Sequence, residues 1–213
     1  MLGVLLCGQA AEAARRGAQG ARTEIGRRAA SRAALWVGLP SLSRVSREVN
    51  DDCSGLTHLA YWRPGLSLMP EAPQPGENGV AAIYRKAQAL GVLRQQPRPG
   101  DLVFFQETYD RNRDGRRNDG LTHIGVVERV SGDGRVTFVH RAGGGVKRSR
   151  FHLYQRDVRR DGKGRVLNDW LRRADRKGRA QLAGELVVGF AAVDERWVVP
   201  QPARTARRAP VRR

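Results

Sequence analysis

Apolar positions recur at helical spacing in the first half of the chain and at strand spacing in the second, which predicts helices followed by a sheet. Ile25, Ala29, Ala33, Trp36 and Val37 mark a helix over 23–37 that Pro40 closes, and 41–50 form a linker. Leu56, Leu59 and Ala60 mark a short helix with Cys53 in its first turn, Asp51 or Asp52 as its N-cap and Pro64-Gly65 as its end. A proline-rich loop over 64–76 leads to a third helix, 77–90, with Val80, Ile83, Tyr84, Ala87 and Leu90 on one face and Gly91 at its end. From Pro97 the pattern changes. A Pro-Gly turn feeds a strand at 102–105, further strands follow at 121–130, 135–140 and 145–148, and Ser131-Gly132-Asp133-Gly134 makes a hairpin loop. A helix is expected at 167–174 and a last strand at 186–192. Helices first and an antiparallel sheet after them predict an α+β domain over 23–199, flanked by a basic segment or signal remnant at 1–22 and a basic disordered tail at 200–213.

Charge changes this picture more than composition does. The 213 residues hold 39 Lys and Arg against 21 Asp and Glu, a formal net charge of +18. Only Lys86, Lys147, Lys163 and Lys177 are lysines, so the excess is arginine, and it favours association with polyanions such as nucleic acid, anionic lipid or acidic envelope polymers. The chain has neither zinc-finger spacing nor a basic helix interleaved with aromatics, which argues against specific nucleic-acid recognition. The apolar run Leu2–Leu6 resembles the stub of an export signal, and Leu5-Leu6-Cys7-Gly8 a lipoprotein cleavage site with Leu6 where a small residue is expected. No run approaches the ~20 apolar residues of a membrane span.

Two cysteines make no disulfide framework. Cys53 at a helix start faces unpaired N–H groups and the positive end of the helix dipole, both of which favour thiolate, so it stands where a nucleophile would. Two other readings stay open: a small buried hydrophobe, and a Cys7–Cys53 bridge. His123 begins one strand, with Gly125 leaving room beside it, and His140 ends the next; a hairpin brings both to one open end, as a base and its orienter require. His58 is expected to point away from Cys53 as a packing or surface residue, and His152 lies in a basic loop with no partner that the sequence names.

Four segments in order, DCSGL at 52–56, RPGDLVFF at 98–105, THIGVV at 122–127 and FVH at 138–140, resemble the signatures of the NlpC-type cell-wall cysteine peptidases, a papain-like group. The resemblance covers about residues 50–150. It implies a papain-like fold, Cys53 as nucleophile, His123 as general base, His140 as the third polar residue, and Asp52 and Ser54 beside the nucleophile at the helix cap and oxyanion site. It further implies cleavage of peptidoglycan stem peptides, often between D-glutamate and diaminopimelate, without a metal cofactor, and hence an envelope or secreted location. The family's Tyr-x-x-Gly-Gly segment before the cysteine is missing from GLPSLSRVSREVND, which leaves the bond cleaved open. An amidase, an acyltransferase on another envelope substrate and a non-catalytic polyanion-binding module remain as alternatives, and the oligomeric state is open.

A second pattern sits at 110–119. Asp110, Asn112, Asp114, Gly115 and Asn118 fall at positions 1, 3, 5, 6 and 9 of a calcium loop, but Leu121 stands at the twelfth, so Asp119 would have to substitute. A structural calcium site and a polar Asx/Gly turn both fit.

Overall fold

The computed structural model describes residues 24–72, 74–174 and 180–198. Helix α1, over 24–35, buries Ile25, Ala29, Ala30 and Ala33 as one stripe. Helix α2 (Cys53–Ala60) buries Gly55, Leu56, Thr57 and Ala60, and α3 (Gly79–Ala89) buries Val80, Ala82, Ile83 and Ala87. Side chains satisfy backbone donors that the helix starts leave open: Asp52 accepts from Gly55 N–H at 2.8 Å and Asn78 from Ala81 N–H at 2.9 Å. The third helix therefore starts two residues later than its apolar spacing implied, at the Asn78 cap. It ends at Ala89 with Leu90 as its C-cap, and Gly91 follows in the left-handed region at φ 61°.

Strands β1 (Leu93–Arg94), β2 (Leu102–Gln106), β3 (Leu121–Val130), β4 (Arg135–Ala142), β5 (Gly145–His152) and β8 (Val187–Ala191) form one antiparallel sheet in the order β1-β8-β2-β3-β4-β5. Strands β6 (Trp170–Arg172) and β7 (Gln181–Leu182) pair apart from it. Because side chains alternate along a strand, the sheet has two apolar faces. Leu102, Phe104, Ile124, Val126 and Val139 meet the three helices. Val103, Phe105, Val127, Phe138 and Phe151 meet Phe190 and the short helix α4 (Ala183–Leu186) in a second cluster. The molecule is a mixed α+β structure with its helices N-terminal to an antiparallel sheet.

The expected helix at 167–174 is instead an extended segment containing β6. Tertiary hydrogen bonds hold it open. Asn168, fully buried, receives the His152 N–H and donates to the carbonyls of Gln155 and Val158, while the Asp169 carbonyl accepts from Ala183 N–H. A helical ladder would withdraw those backbone groups. β5 also runs further than expected, to His152, which is buried at the strand end. Its Nδ1 accepts the N–H groups of Tyr154 and Gln155, so His152 turns the chain rather than lying in a loop without partners. The segment 1–22 with Cys7 and the tail 200–213 lie outside the described residues, among which no helix is long and apolar enough to cross a membrane.

One close approach fixes α2. A Cβ at Gly55 would sit 1.9 Å from the Asn50 carbonyl oxygen, so only glycine lets the chain at Asn50 fold back across the first turn. Gly55→Ala is expected to push residues 50–52 away, weaken the Asp52 cap and lower stability by about 2 kcal/mol or more, measured by thermal unfolding. An unchanged melting temperature would contradict this account.

Candidate active site

A cleft of about 730 Å³ opens where the first turns of α2 and α3 face the ends of β3 and β4, and Cys53 and His123 both line it. Cys53 is a free thiol, half-buried against the helix-side core. The backbone N–H groups of Ile124, in the peptide that follows His123, of Ser54 and of Cys53 itself act on its sulfur as nearby donors. These donors lower the thiol pKa, but burial outweighs them and, with the nearby Asp52 charge, pushes it up to about 11. The preference for thiolate expected from the helix start is thus reversed by desolvation. Asp52 serves as the helix cap and accepts the Ser54 hydroxyl at 2.7 Å, which holds both residues beside the nucleophile position.

The two histidines meet. His123 Nε2 and His140 Nδ1 are 2.7 Å apart, and the rings stand edge to face at 87°. With Nε2 taken, Nδ1 is the His123 ring nitrogen that this contact leaves open. The approach of β4 depends on Gly125, where a Cβ would lie 2.9 Å from the Val139 carbonyl oxygen and 3.3 Å from His140 Cβ. Phe105 packs against His123, and Phe138 against His140 at 4.9 Å between ring centres. This apolar setting holds both imidazoles below their usual range: burial lowers His123 to about 4 against a weak opposing pull from Asp52, and lowers His140 well below 6.5 with help from the charges of His123 and Lys147.

Other residues shape the cleft without having announced themselves in the sequence. Arg141, next to His140, makes a bidentate pair with Asp51 at 2.8 Å for both contacts, which ties the end of β4 to the residues that lead into α2. Thr108 N–H and Oγ1 both meet Thr122 Oγ1 at 2.9 Å, anchoring the chain after β2 beside His123. Tyr109 stands half-exposed on the same wall, and the partial burial of its hydroxyl end raises its pKa. Leu171 and Arg172 of β6 close the far side, where buried Arg172 donates to the Glu107 carbonyl at 2.6 Å. An Asp followed by Cys in a helix cap is visible in a sequence; a partner ninety residues on, such as Arg141 for Asp51, is not. His58 stays half-buried in a separate hollow lined by Glu48, Trp62 and Leu68.

The loop 110–119 turns its polar oxygens on itself. Asp110 Oδ2 accepts from Gly115 N–H, Asn112 Oδ1 from Asp114 N–H and Asp114 Oδ1 from Arg116 N–H, while Asp119 accepts from Arg111 and Asn112 N–H. Asn118 donates to Asp114 Oδ2 at 3.0 Å, and Asp110 Oδ1 is buried without a hydrogen bond. Among the described residues no group of three or more His, Cys, Asp or Glu could hold a metal ion.

Residues 48–142 match the CHAP domain family. CHAP domains are papain-like, and the match is consistent with a cell-wall cysteine peptidase or amidase family, in keeping with the NlpC-type cysteine peptidase resemblance of the sequence motifs. It points to a peptidoglycan hydrolase, an amidase or peptidase, that works at the cell envelope. The CHAP match takes in α2 to β4, with Cys53, His123 and His140, and stops short of β5 to β8. Neither the curated proteins nor the solved structures offer a match to the chain.

The buried His123 makes a pH signature. Unfolded, His123 takes up a proton below its ordinary 6.5; folded, it resists until about 4. Acid therefore favours the unfolded chain, and the folded state loses up to about 3 kcal/mol from this one group as pH falls from about 6.5 to about 4. Melting temperatures across that window are expected to fall less in His123→Gln than in the wild type. Equal slopes would show that His123 is not buried as a neutral ring.

Proposed function

We propose that the chain is a cysteine hydrolase of peptidoglycan stem peptides, with Cys53 as nucleophile, His123 as general base and His140 as the residue that orients it. The observation that carries this reading is the convergence, in one cleft, of a helix-start thiol with a histidine whose far nitrogen is held by a second, buried histidine. Both partners are uncharged in the free cleft at neutral pH. The Cys53 proton therefore passes to His123 Nδ1 as the sulfur attacks the scissile carbonyl, rather than beforehand. Negative charge then builds on the carbonyl oxygen, and backbone N–H groups at the start of α2 stabilise it there. His123 returns the proton to the leaving amine, the C–N bond breaks, and water hydrolyses the thioester by the reverse sequence.

Both signs of charge line the cleft, but most are already engaged: Asp51 pairs with Arg141, Asp52 caps α2 and buried Arg172 donates to the Glu107 carbonyl, which leaves exposed Arg173 on the rim to meet a stem-peptide carboxylate. The bond between D-glutamate and diaminopimelate is the one that the NlpC-type motifs favour. The missing Tyr-x-x-Gly-Gly segment favours a second reading, an amidase that cuts the sugar–peptide bond with the same three residues. No step calls on a metal, and the loop at 110–119 supports the mouth of β3 through its own hydrogen bonds.

Mass spectrometry of soluble fragments from purified peptidoglycan tests this reading. The wild type is expected to release fragments with or without calcium, ending at D-glutamate for the peptidase and at the free sugar lactyl group for the amidase. Cys53→Ala is expected to release none, and His123→Ala at least about a hundredfold less. Release that survives in Cys53→Ala, or none from any form, would overturn it.

A further inference from the structure

The histidine pair does not end at His140. Its Nε2 lies 3.0 Å from the hydroxyl of Ser149 on β5, the edge strand of the sheet. Ser149 pairs in register with Phe138, two residues before His140, which sets the hydroxyl diagonally across from the His140 ring. His140 is 2% exposed, so water does not readily replace a lost partner there.

Two neutral imidazoles joined by one hydrogen bond share a single proton between them, which leaves two arrangements. In the first, His123 donates through Nε2, His140 receives on Nδ1 and carries its own proton on Nε2, and His123 Nδ1 is bare. In the second, His140 donates through Nδ1, and His123 carries its proton on Nδ1, where it blocks acceptance from Cys53. Once His123 has taken the thiol proton, both of its nitrogens are protonated and only the first arrangement survives. The proton on His140 Nε2 then points at Ser149 Oγ, the acceptor given to that nitrogen among the described residues.

We infer that Ser149 is a positioning residue for the proposed hydrolysis: once His123 has taken the Cys53 proton and donates through Nε2 to His140, the Ser149 hydroxyl accepts from His140 Nε2–H and so supports the protonated pair. The inference rests on the proposed roles of Cys53 and His123, and it extends the relay beyond the matched segment, since β5 begins after residue 142. The charged groups that act on the two rings are Asp52, from the start of α2, on His123, and Lys147, with His123 itself, on His140. None of them reaches His140 Nε2 as a hydrogen-bond acceptor.

Three variants test it. In Ser149→Ala the buried Nε2–H of the protonated pair loses its acceptor, and kcat for fragment release is expected to fall roughly tenfold with KM unchanged. Ser149→Thr is expected to restore the rate. Ser149→Asp supplies an acceptor that also carries charge, so the acid limb of kcat/KM is expected to move to higher pH with activity retained. Nitrogen NMR of the imidazoles reads the effect directly: the histidine pair is expected to take up its proton at lower pH in Ser149→Ala than in the wild type, which a merely structural role would not produce. A Ser149→Ala protein whose imidazoles titrate as in the wild type would overturn the inference, whether or not its rate falls. Because the titration is measured without substrate, failure of this inference is distinguishable from failure of the hydrolase reading, which the Cys53→Ala digestion decides on its own.

Discussion

The pair between Asp51 and Arg141 joins the two halves of the cleft. Arg141 follows His140 at the end of β4, and Asp51 precedes the Asp52-Cys53 start of α2, so one bidentate contact sets the helix of Cys53 against the strand that carries His140. Asp51 also accepts from Leu42 N–H at 2.9 Å, which extends the tie to the chain between α1 and α2. Partly exposed ion pairs contribute little to stability. What this one contributes is direction, because two parallel N–H···O contacts define an angle as well as a distance. Gly55 completes the arrangement: without a side chain there, Asn50 can lie on the helix and leave Asp51 and Asp52 free for their separate partners.

Two opposed electrostatic effects meet at Cys53, and their sizes decide the chemistry. The helix start and three backbone N–H groups favour the thiolate, while burial disfavours it and wins, leaving the thiol protonated up to about pH 11. The same burial keeps His123 neutral down to about pH 4. A cleft of this kind holds no standing ion pair. In the proposed hydrolysis, charge would then appear only when a substrate carbonyl is there to receive the electrons.

Much of this was legible in the chain because it depends on short-range rules. The DCSG run identifies a capped helix start, the alternation in THIGVV a strand, and SGDG the turn that sets His123 and His140 at one end of a hairpin; the register Val126–Val139 and the contact between the rings follow. What escaped is what depends on distant partners. Leu167–Ala174 has helical spacing, yet buried Asn168 and the bonds of Asp169 hold it extended. β8 enters between β1 and β2, a placement that no local pattern encodes. Burial at Cys53 likewise depends on what packs over it, so a rule about helix ends misjudged the sign of its pKa shift.

The site also explains why the chain needs both faces of its sheet. Cys53 belongs to the core between the sheet and the helices, whereas the rings of His123 and His140 rest on Phe105 and Phe138 of the opposite cluster. The proposed nucleophile and base are thus supported by different cores and line one cleft at the strand ends. A cavity opened under either one would move it relative to the other, because close-packed interiors pass such shifts on rather than absorbing them. Phe105, Phe138, Phe151 and Phe190 form the apolar floor on the histidine side, with Phe105 and Phe138 at 4.9 Å between ring centres. Substitutions in that floor would then act on the base without touching the cleft, since they change both the position of the imidazole pair and the desolvation that keeps it neutral.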